Sequence, residues 1–173
     1  MPIRRMNHAV LSVSDLEAST IFYRDVLGLR WVATLPATTH FKEMRFFHSE
    51  VGSSNHHDLA IIADATMKLA GRGEPKPPGL FHIAFEVGTL DELQEIQGRL
   101  RNSNALTGST HQAGHLSLYG SDPDGLAVEV LWRAPRDSWS YEDEMVRTPL
   151  DFEQANARWG GRRATGSAAG EPA

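Results

Sequence analysis

Two blocks of alternating apolar and polar residues follow one another along the chain, and each predicts the same order of elements. In the first block, residues 7–13 form an apolar strand, and apolar residues recur at helical spacing from Leu16 to Leu27. Ser14 or Asp15 stands where a helix N-cap is expected, and Gly28 stands where the helix would end. Further strands are predicted at residues 29–37, 40–48 and 58–63.

The second block begins at residue 80 and repeats this order. Residues 80–87 predict a strand, Thr89 an N-cap, and the apolar positions from Leu90 to Leu100 a helix. Residues 102–109 are predicted as a loop, with a weak strand near Leu106 to Thr110. Two strands complete the block, at residues 115–119 and 126–132.

An offset of 74 residues superimposes the two blocks, with His8 on His82, Val13 on Val87 and Leu16 on Leu90. Few residues are identical, but the element order agrees, and an internal repeat decides the fold prediction. We predict an α+β fold of two tandem βαβββ modules. The predicted boundaries are a first module at 1–64, a Pro- and Gly-rich linker at 65–79, a second module at 80–132, an extension at 133–159 and a disordered tail at 160–173.

The last strand of the second block carries an isolated carboxylate. It follows a tight Pro123-Asp124-Gly125 turn, and its alternation places Val128, Val130 and Trp132 on one face. Glu129 lies on the other face, between Ala127 and Leu131. A carboxylate in so apolar a strand requires a partner, which is either a cationic side chain or a metal ion.

Composition and charge limit the number of domains, the partners and the types of metal ligand that the chain can have. The 173 residues suit one domain or two small modules sharing a core. The net charge of −5, with no basic cluster, argues against a nucleic-acid partner. No apolar run approaches the ~18 residues of a transmembrane helix, and no signal peptide is recognisable. We therefore expect no membrane association and a cytoplasmic location. With no cysteine in the sequence, a metal ion would need histidine and carboxylate ligands.

Three residues form a candidate metal site. His8 and His82 occupy equivalent places in the two blocks, and Glu129 supplies a carboxylate. Two neutral imidazoles and one carboxylate are the ligands of open non-haem Fe(II) sites, and Mn(II) or Zn(II) can bind the same set. A single histidine in a strand is usually structural, but the repeat makes the pair more informative.

The motifs around these residues resemble the vicinal oxygen chelate superfamily, which includes glyoxalase I, bleomycin-resistance proteins, fosfomycin-resistance enzymes and type I extradiol dioxygenases. The resemblance rests on Asn7-His8, on His82 within residues 80–85, and on residues 122–125 followed by Glu129, and it covers roughly residues 4–155. It implies that the paired modules wrap a metal-binding cup whose ligands are His8, His82 and Glu129.

The single-domain catechol 2,3-dioxygenases are the branch that the chain resembles most. His57, followed by Asp58-Leu59-Ala60-Ile61, is similar to the segment that carries an acid–base histidine. Tyr119, ten residues before Glu129, takes the place of the active-site tyrosine. Either His111 or His115 corresponds to a further histidine, and His111 is favoured. Residues 132–139 and 148–151 resemble the C-terminal extension of these enzymes.

This resemblance implies an Fe(II)-dependent extradiol dioxygenase, with Mn(II) possible, that opens a catechol ring with O₂ in aromatic catabolism and forms a homodimer. His57 would serve as acid–base group, Tyr119 would hydrogen-bond a substrate oxygen, and His111 would support the same region. The alternatives are a glyoxalase-like metal-dependent isomerase or transferase and a non-catalytic ligand-sequestering protein. The substrate stays open among simple, alkyl-bearing and carboxyl-bearing catechols and catecholic amino acids such as L-DOPA.

Overall fold

The computed structural model describes residues 5–49, 52–64, 66, 79–112, 114–140 and 147–162. The predicted linker at 65–79 lies outside the described residues except at Thr66 and Gly79, and so does the predicted tail beyond Arg162. The chain forms two compact units. Residues 1–76 with the turn Pro123–Gly125 make up the first unit, and residues 77–122 with 126–173 make up the second.

The first unit contains one sheet and one helical segment. Its elements are β1 (Ala9–Val13), α1 (Leu16–Ile21) continued by a π-helical turn (Phe22–Val26), β2 (Arg30–Leu35), β3 (Met44–His48) and β4 (Leu59–Ala63). The strand order is β1-β4-β3-β2, with β1 and β4 parallel and the other neighbours antiparallel. Strands β2 and β3 are shorter than the predicted ranges.

Local sequence explains how this helical segment begins and ends. The Asp15 side chain accepts hydrogen bonds from the backbone N–H groups of Glu17 and Ala18, so Asp15 is the N-cap. Ser14 instead donates its backbone N–H to Asp124 Oδ2 at 2.9 Å, and the Ser14 hydroxyl also donates to Asp124. The segment stops before Gly28, whose φ of 85° favours glycine.

The second unit repeats this topology. Its elements are β5 (His82–Glu86), α2 (Leu90–Asn102), β6 (Leu106–Gln112), β7 (His115–Ser121), β8 (Ala127–Arg133), a 3-10 turn (Arg136–Ser138), β9 (Thr148–Pro149) and α3 (Phe152–Trp159). The strand order is β5-β8-β7-β6-β9, with β5 and β8 parallel. Thr89 is the N-cap of α2, as its sequence predicts, and it forms a capping box with Glu92. The structure thus confirms the predicted α+β fold with two βαβββ units.

Strand β6 confirms the weak strand predicted near Leu106 to Thr110, extends it to Gln112 and shortens the loop predicted at residues 102–109. Helix α2 ends at Asn102, the φ of Asn104 is 56°, and the strand begins at Leu106. Its sequence, LTGSTHQ, has few β-branched and aromatic residues and lacks clear alternation, so local preference indicated the strand only weakly. Pairing with β7 on one side and β9 on the other supplies the stabilisation that the local sequence lacks.

The C-terminal extension packs on the second unit through its aromatic residues. Trp159 of α3 is buried, its ring centroid lies 5.8 Å from that of Trp132, and its Nε1 donates to Ser138 Oγ at 3.1 Å. Within the described ranges, no helix has the length and apolar character needed to span a membrane.

Candidate functional site

The two faces of β8 have different surroundings. Val128, Val130 and Trp132 are buried. A Cβ atom on Gly120, which pairs with Val128, would lie 3.0 Å from Leu100 of α2, so this is the face that the helix covers. Since successive residues of a strand point to opposite faces, Glu129 lies on the face away from α2. We call this second surface the Glu129 face.

His82 and Glu129 are neighbours on the Glu129 face. His82 begins β5 and is in register with Ala127 of β8. Glu129 lies two residues after Ala127 on the same side of the strand, so His82 and Glu129 share a face. Its Nε2 lies 3.3 Å from Glu129 Oε2, and the two side chains are 36% and 13% exposed. The partner that the sequence predicts for the Glu129 carboxylate is thus the imidazole of His82. Two of the three predicted metal ligands are therefore adjacent.

Tyr119 belongs to the same surface. It stands directly opposite Glu129 in the antiparallel pairing of β7 and β8. Directly opposite side chains share a face and lie close enough to interact. The second unit therefore gathers His82, Glu129 and Tyr119, which are three of the predicted site residues.

The strand pairing distinguishes the two candidate histidines of the β6–β7 hairpin. His111 pairs with Leu116, which pairs in turn with Trp132, so His111 lies on the face that α2 covers. Its ring stands edge-on to Trp159 with centroids 5.6 Å apart. His115 pairs with Arg133 and therefore lies on the Glu129 face. The structure does not bring the favoured His111 to Glu129, and it places His115 on the Glu129 face.

In the first unit, His8 and His57 are in contact. Their ring centroids are 4.6 Å apart, and the His57 ring lies 4.9 Å from that of Phe46. His8 is exposed just before β1, and its Nδ1 lies 2.7 Å from Asn7 Oδ1. If Nδ1 carries the proton of this hydrogen bond, Nε2 keeps a free lone pair, which is the usual state of a metal-binding histidine.

A hydrogen-bond network that sequence reasoning missed holds His57 in place. The Asp58 carboxylate accepts from Ser49 N and Oγ at 2.9 and 2.7 Å, from Ser53 Oγ, and from Asn55 Nδ2 at 3.0 Å. These hydrogen bonds lower the pKa of Asp58 from its usual 3.8 to about 2, even though burial acts in the opposite direction. The Asn- and Ser-rich composition of residues 53–55 was the available signal.

Asn55 also joins this network to the segment before β1. Its Nδ2 donates to Asn7 O at 2.7 Å, and its Oδ1 accepts from Asn7 Nδ2 at 3.0 Å. Burial, followed by the neighbouring His8 and His56, lowers the pKa of His57 below its usual 6.5. His8 and His57 are thus fixed relative to each other by loops that hydrogen-bond across the first unit.

The donor chemistry of these residues fits a divalent metal ion. Imidazole nitrogen and carboxylate oxygen are good ligands for Fe(II), Mn(II) and Zn(II). His82 and Glu129 already present one of each at 3.3 Å. Across the described part of the chain, no group of three or more His, Asp or Glu side chains is arranged as a complete metal site.

Comparison with known families agrees with this fold. Residues 5–130 match the model of the Glyoxalase/Bleomycin resistance protein/Dioxygenase superfamily. Together with the duplicated βαβββ topology, this match defines the class of protein. The chain belongs to the Glyoxalase/Bleomycin resistance protein/Dioxygenase superfamily, as the sequence motifs predicted.

Individual relatives include enzymes of more than one kind. The Biphenyl-2,3-diol 1,2-dioxygenase 3 of Rhodococcus globerulus is 33% identical over 79% of this chain and 69% of its own length. The Catechol-2,3-dioxygenase of Bacillus subtilis (strain 168) is 26% identical over 92% of this chain and 54% of its own length. The mitochondrial methylmalonyl-CoA epimerase of Bos taurus is 26% identical over 73% of each protein. The chain spans only part of both dioxygenases.

A solved structure supports the fold assignment. It is a glyoxylase/bleomycin resistance protein/dioxygenase domain from Frankia sp. EAN1pec, with a TM-score of 0.61 and 19% identity. The match covers 78% of this chain and 96% of that domain. At this identity the likeness establishes the fold.

Proposed function

We propose that the protein is a non-haem Fe(II)-dependent extradiol dioxygenase that cleaves a catecholic substrate with O₂. The observation that carries the proposal is the adjacency of His82 and Glu129 at 3.3 Å, with Tyr119 directly opposite Glu129 on the same face. An imidazole, a carboxylate and a phenol provide two ligands and a hydrogen-bond donor in one patch. The names of two relatives, each a dioxygenase of an aromatic diol, support the same class.

The proposed metal ligands are His82, Glu129 and His8. His8 is included because it occupies the place in the first repeat that His82 occupies in the second. Fe(II), or Mn(II) in its place, would lower the pKa of a catechol hydroxyl and leave coordination positions open for the substrate and O₂. The Asn7 hydrogen bond to His8 Nδ1 would orient that ring for binding through Nε2.

The remaining residues would handle protons and orient the substrate. His57, which contacts His8, is proposed to accept a proton from the catechol and to return it later. Tyr119 is proposed to donate its phenolic hydrogen to a substrate oxygen. His115 is proposed, in place of His111, as the further histidine that contacts the substrate, because His115 shares the face of Glu129.

The surroundings of Asp58 weigh against a glyoxalase-like site. A glyoxalase I would need a fourth protein ligand on the strand that Asp58 precedes, and Asp58 is the carboxylate at the start of that strand. That carboxylate instead accepts hydrogen bonds from Ser49, Ser53 and Asn55. Binding a metal ion through Asp58 would break the network that holds His57.

Metal content and O₂ uptake test the proposal together. The protein is purified without oxygen, its metal content is determined, and O₂ consumption is followed with catechol, 4-methylcatechol and 3,4-dihydroxyphenylacetate. About one Fe per chain and catechol-dependent O₂ uptake with a yellow ring-opened product are expected. Tightly bound Zn or Ni without O₂ uptake would overturn the proposal in favour of an isomerase or transferase. Failure to retain any metal after reconstitution would favour a ligand-sequestering protein.

A further inference from the structure

A second polar cluster lies on the Glu129 face, beyond the proposed metal ligands. Arg133 follows Glu129 by four residues on β8 and therefore shares its face. His115 is paired with Arg133 across β7 and β8. Glu86 of β5 is in register with Leu131, which also lies on this face. Glu86, Arg133 and His115 thus form a charged group on the same surface as His82 and Glu129.

The charges of this group are not tightly matched. Arg133 NH1 lies 4.0 Å from Glu86 Oε2, and the two side chains are 39% and 40% exposed. An ion pair that long and that exposed contributes little to stability. Burial raises the pKa of Glu86, and the charges of Arg133 and His115 offset that rise only in part. Glu86 is therefore a loosely held partner for the arginine.

Two hydrogen-bond donors in this region are buried without a partner among the described residues. One is Nε of Arg133 and the other is the Thr110 hydroxyl. Thr110 pairs with Ser117, and Ser117 pairs with Leu131, so Thr110 also lies on the Glu129 face. Buried donors in folded proteins are nearly always satisfied, and an unsatisfied one needs a structural explanation. A ligand that accepts hydrogen bonds from both groups would provide it.

We propose that Arg133, with Thr110 and His115, binds a carboxylate on the substrate, so that the substrate is a catechol with a carboxyl-bearing side chain. The assignment rests on the proposed dioxygenase function, with the ring held near His82 and Glu129. Four residues of strand separate the backbones of Glu129 and Arg133 by about 13 Å, and the long arginine side chain shortens that gap. A ring with a short side chain spans the remainder.

A carboxylate fits this cluster better than an ammonium group. The unmatched groups, Arg133 Nε and the Thr110 hydroxyl, are donors, and a guanidinium is well shaped to bind a carboxylate. Among the described residues of this cluster, Glu86 is the one acidic partner for an ammonium group, which would also meet the positive charge of Arg133. The same face therefore favours carboxyl-bearing catechols over neutral catechols and catecholic amines.

Anaerobic titration followed by tryptophan fluorescence measures the preference directly. The ligands are 3,4-dihydroxyphenylacetate, neutral 4-ethylcatechol and cationic dopamine, each added to Fe(II)-loaded and to metal-free protein. Wild-type protein is expected to prefer the carboxylate in both forms. The Arg133→Gln variant should lose about tenfold or more of that preference, because a hydrogen bond to a charged group is removed. Binding of 4-ethylcatechol should stay unchanged.

Three further variants make the test specific. Arg99→Gln removes the same charge from an arginine on α2 that pairs with Glu95, and it should keep the wild-type preference. Arg133→Lys should keep part of the preference for the carboxylate that Arg133→Gln loses. Thr110→Val should weaken carboxylate binding without changing the net charge. Equal loss of affinity for all three ligands in Arg133→Gln, or the same loss in Arg99→Gln, would overturn the assignment. So would a preference for dopamine that Glu86→Gln abolishes.

The titration separates this inference from the proposed function. An Arg133-dependent preference for the carboxylate in a protein that consumes no O₂ would uphold the binding site and reject the dioxygenase. O₂ uptake with equal preference for neutral and carboxylated catechols would do the reverse. Absence of binding for all three ligands, in both forms of the protein, would overturn the binding site.

Discussion

Glu129 is the residue on which the proposed chemistry depends most directly. Its carboxylate is next to His82 Nε2 on a surface away from the helix, where the side chain is 13% exposed. Its neighbours Val128 and Val130, which are both buried, are the residues that pack the sheet against α2. Changing Glu129 should therefore affect ligand chemistry far more than folding.

The Glu129→Gln substitution tests this separation. Gln has nearly the same shape but no charge, so we expect metal retention and catechol-dependent O₂ uptake to fall by more than about 100-fold, since even residues that only support a ligand contribute 10- to 100-fold. The melting temperature should change little. Metal analysis and an oxygen electrode provide the measurements, and Glu95→Gln on α2 is the matched control. Full activity in the variant would remove Glu129 from the ligand set.

The two hairpin histidines give a second test at the same scale. His115→Gln should lower kcat/KM about tenfold or more, by analogy with other residues that support an active site, with a nearly unchanged melting temperature. His111→Gln should instead lower the melting temperature, because His111 packs against Trp159. Activity and thermal unfolding of both variants are measured in parallel. The opposite pattern would return the functional role to His111.

At the scale of elements, the segment between β3 and β4 depends on one carboxylate. Asp58 accepts the hydrogen bonds of Ser49, Ser53 and Asn55, and its pKa is lowered to about 2. A carboxyl whose pKa is lowered on folding stabilises the protein above the pKa of the unfolded chain. That stabilisation is lost as the pH falls through the folded value.

We therefore expect Asp58→Asn to be less stable than wild type by about 1–3 kcal/mol above pH 5, the range for losing hydrogen bonds to a charged group. The difference should shrink between about pH 4 and pH 2, where the wild-type carboxylate becomes protonated. Urea unfolding at a series of pH values measures it. Ser53→Ala, which removes one donor, should give a smaller difference with the same pH dependence. A difference that is constant with pH would contradict the role of the charge.

The contact between the β6–β7 hairpin and the extension depends on a glycine. A Cβ atom on Gly114 would lie 2.6 Å from two atoms of the Trp139 ring, which is too close. Gly114→Ala should therefore destabilise the second unit by about 1–3 kcal/mol, the usual cost of overpacking. Gly98→Ala on α2 is the control, because nothing lies within 4 Å of the added methyl, and it should stabilise by up to about 1 kcal/mol. Thermal unfolding of both variants measures these two changes in stability.

At the scale of the whole molecule, the sequence predicted what depends on repetition and missed what depends on pairing between distant strands. The duplicated order of elements was visible because each strand and helix leaves its own apolar period. The adjacency of His82 and Glu129 followed from a repeat and a resemblance. Strand β6 gave only a weak local signal, and the faces that His111 and His115 occupy could not be predicted, because a one-residue change of register moves a side chain to the other face.

The support around the proposed site was equally hidden. The hydrogen bonds that Asp58 and Asn55 make join segments up to 50 residues apart, and no spacing rule connects such positions. Arg133 and Thr110 also lie on different strands, and their shared face follows only from the observed register. The sequence thus predicted which residues have suitable chemistry, while the pairing of strands decided which side chains can work together.

The repeat also shows where the two copies have diverged. Ala84, two residues after His82, is in register with Glu129, and Val10, two residues after His8, is in register with Ala60. A buried alanine therefore stands in the first copy where the second has its carboxylate. A unit that pairs with an identical unit must suit both roles at every position. When two units are joined in one chain, each unit can change its sequence independently. Substrate specificity can then change in one unit while the other unit keeps its ligand residues.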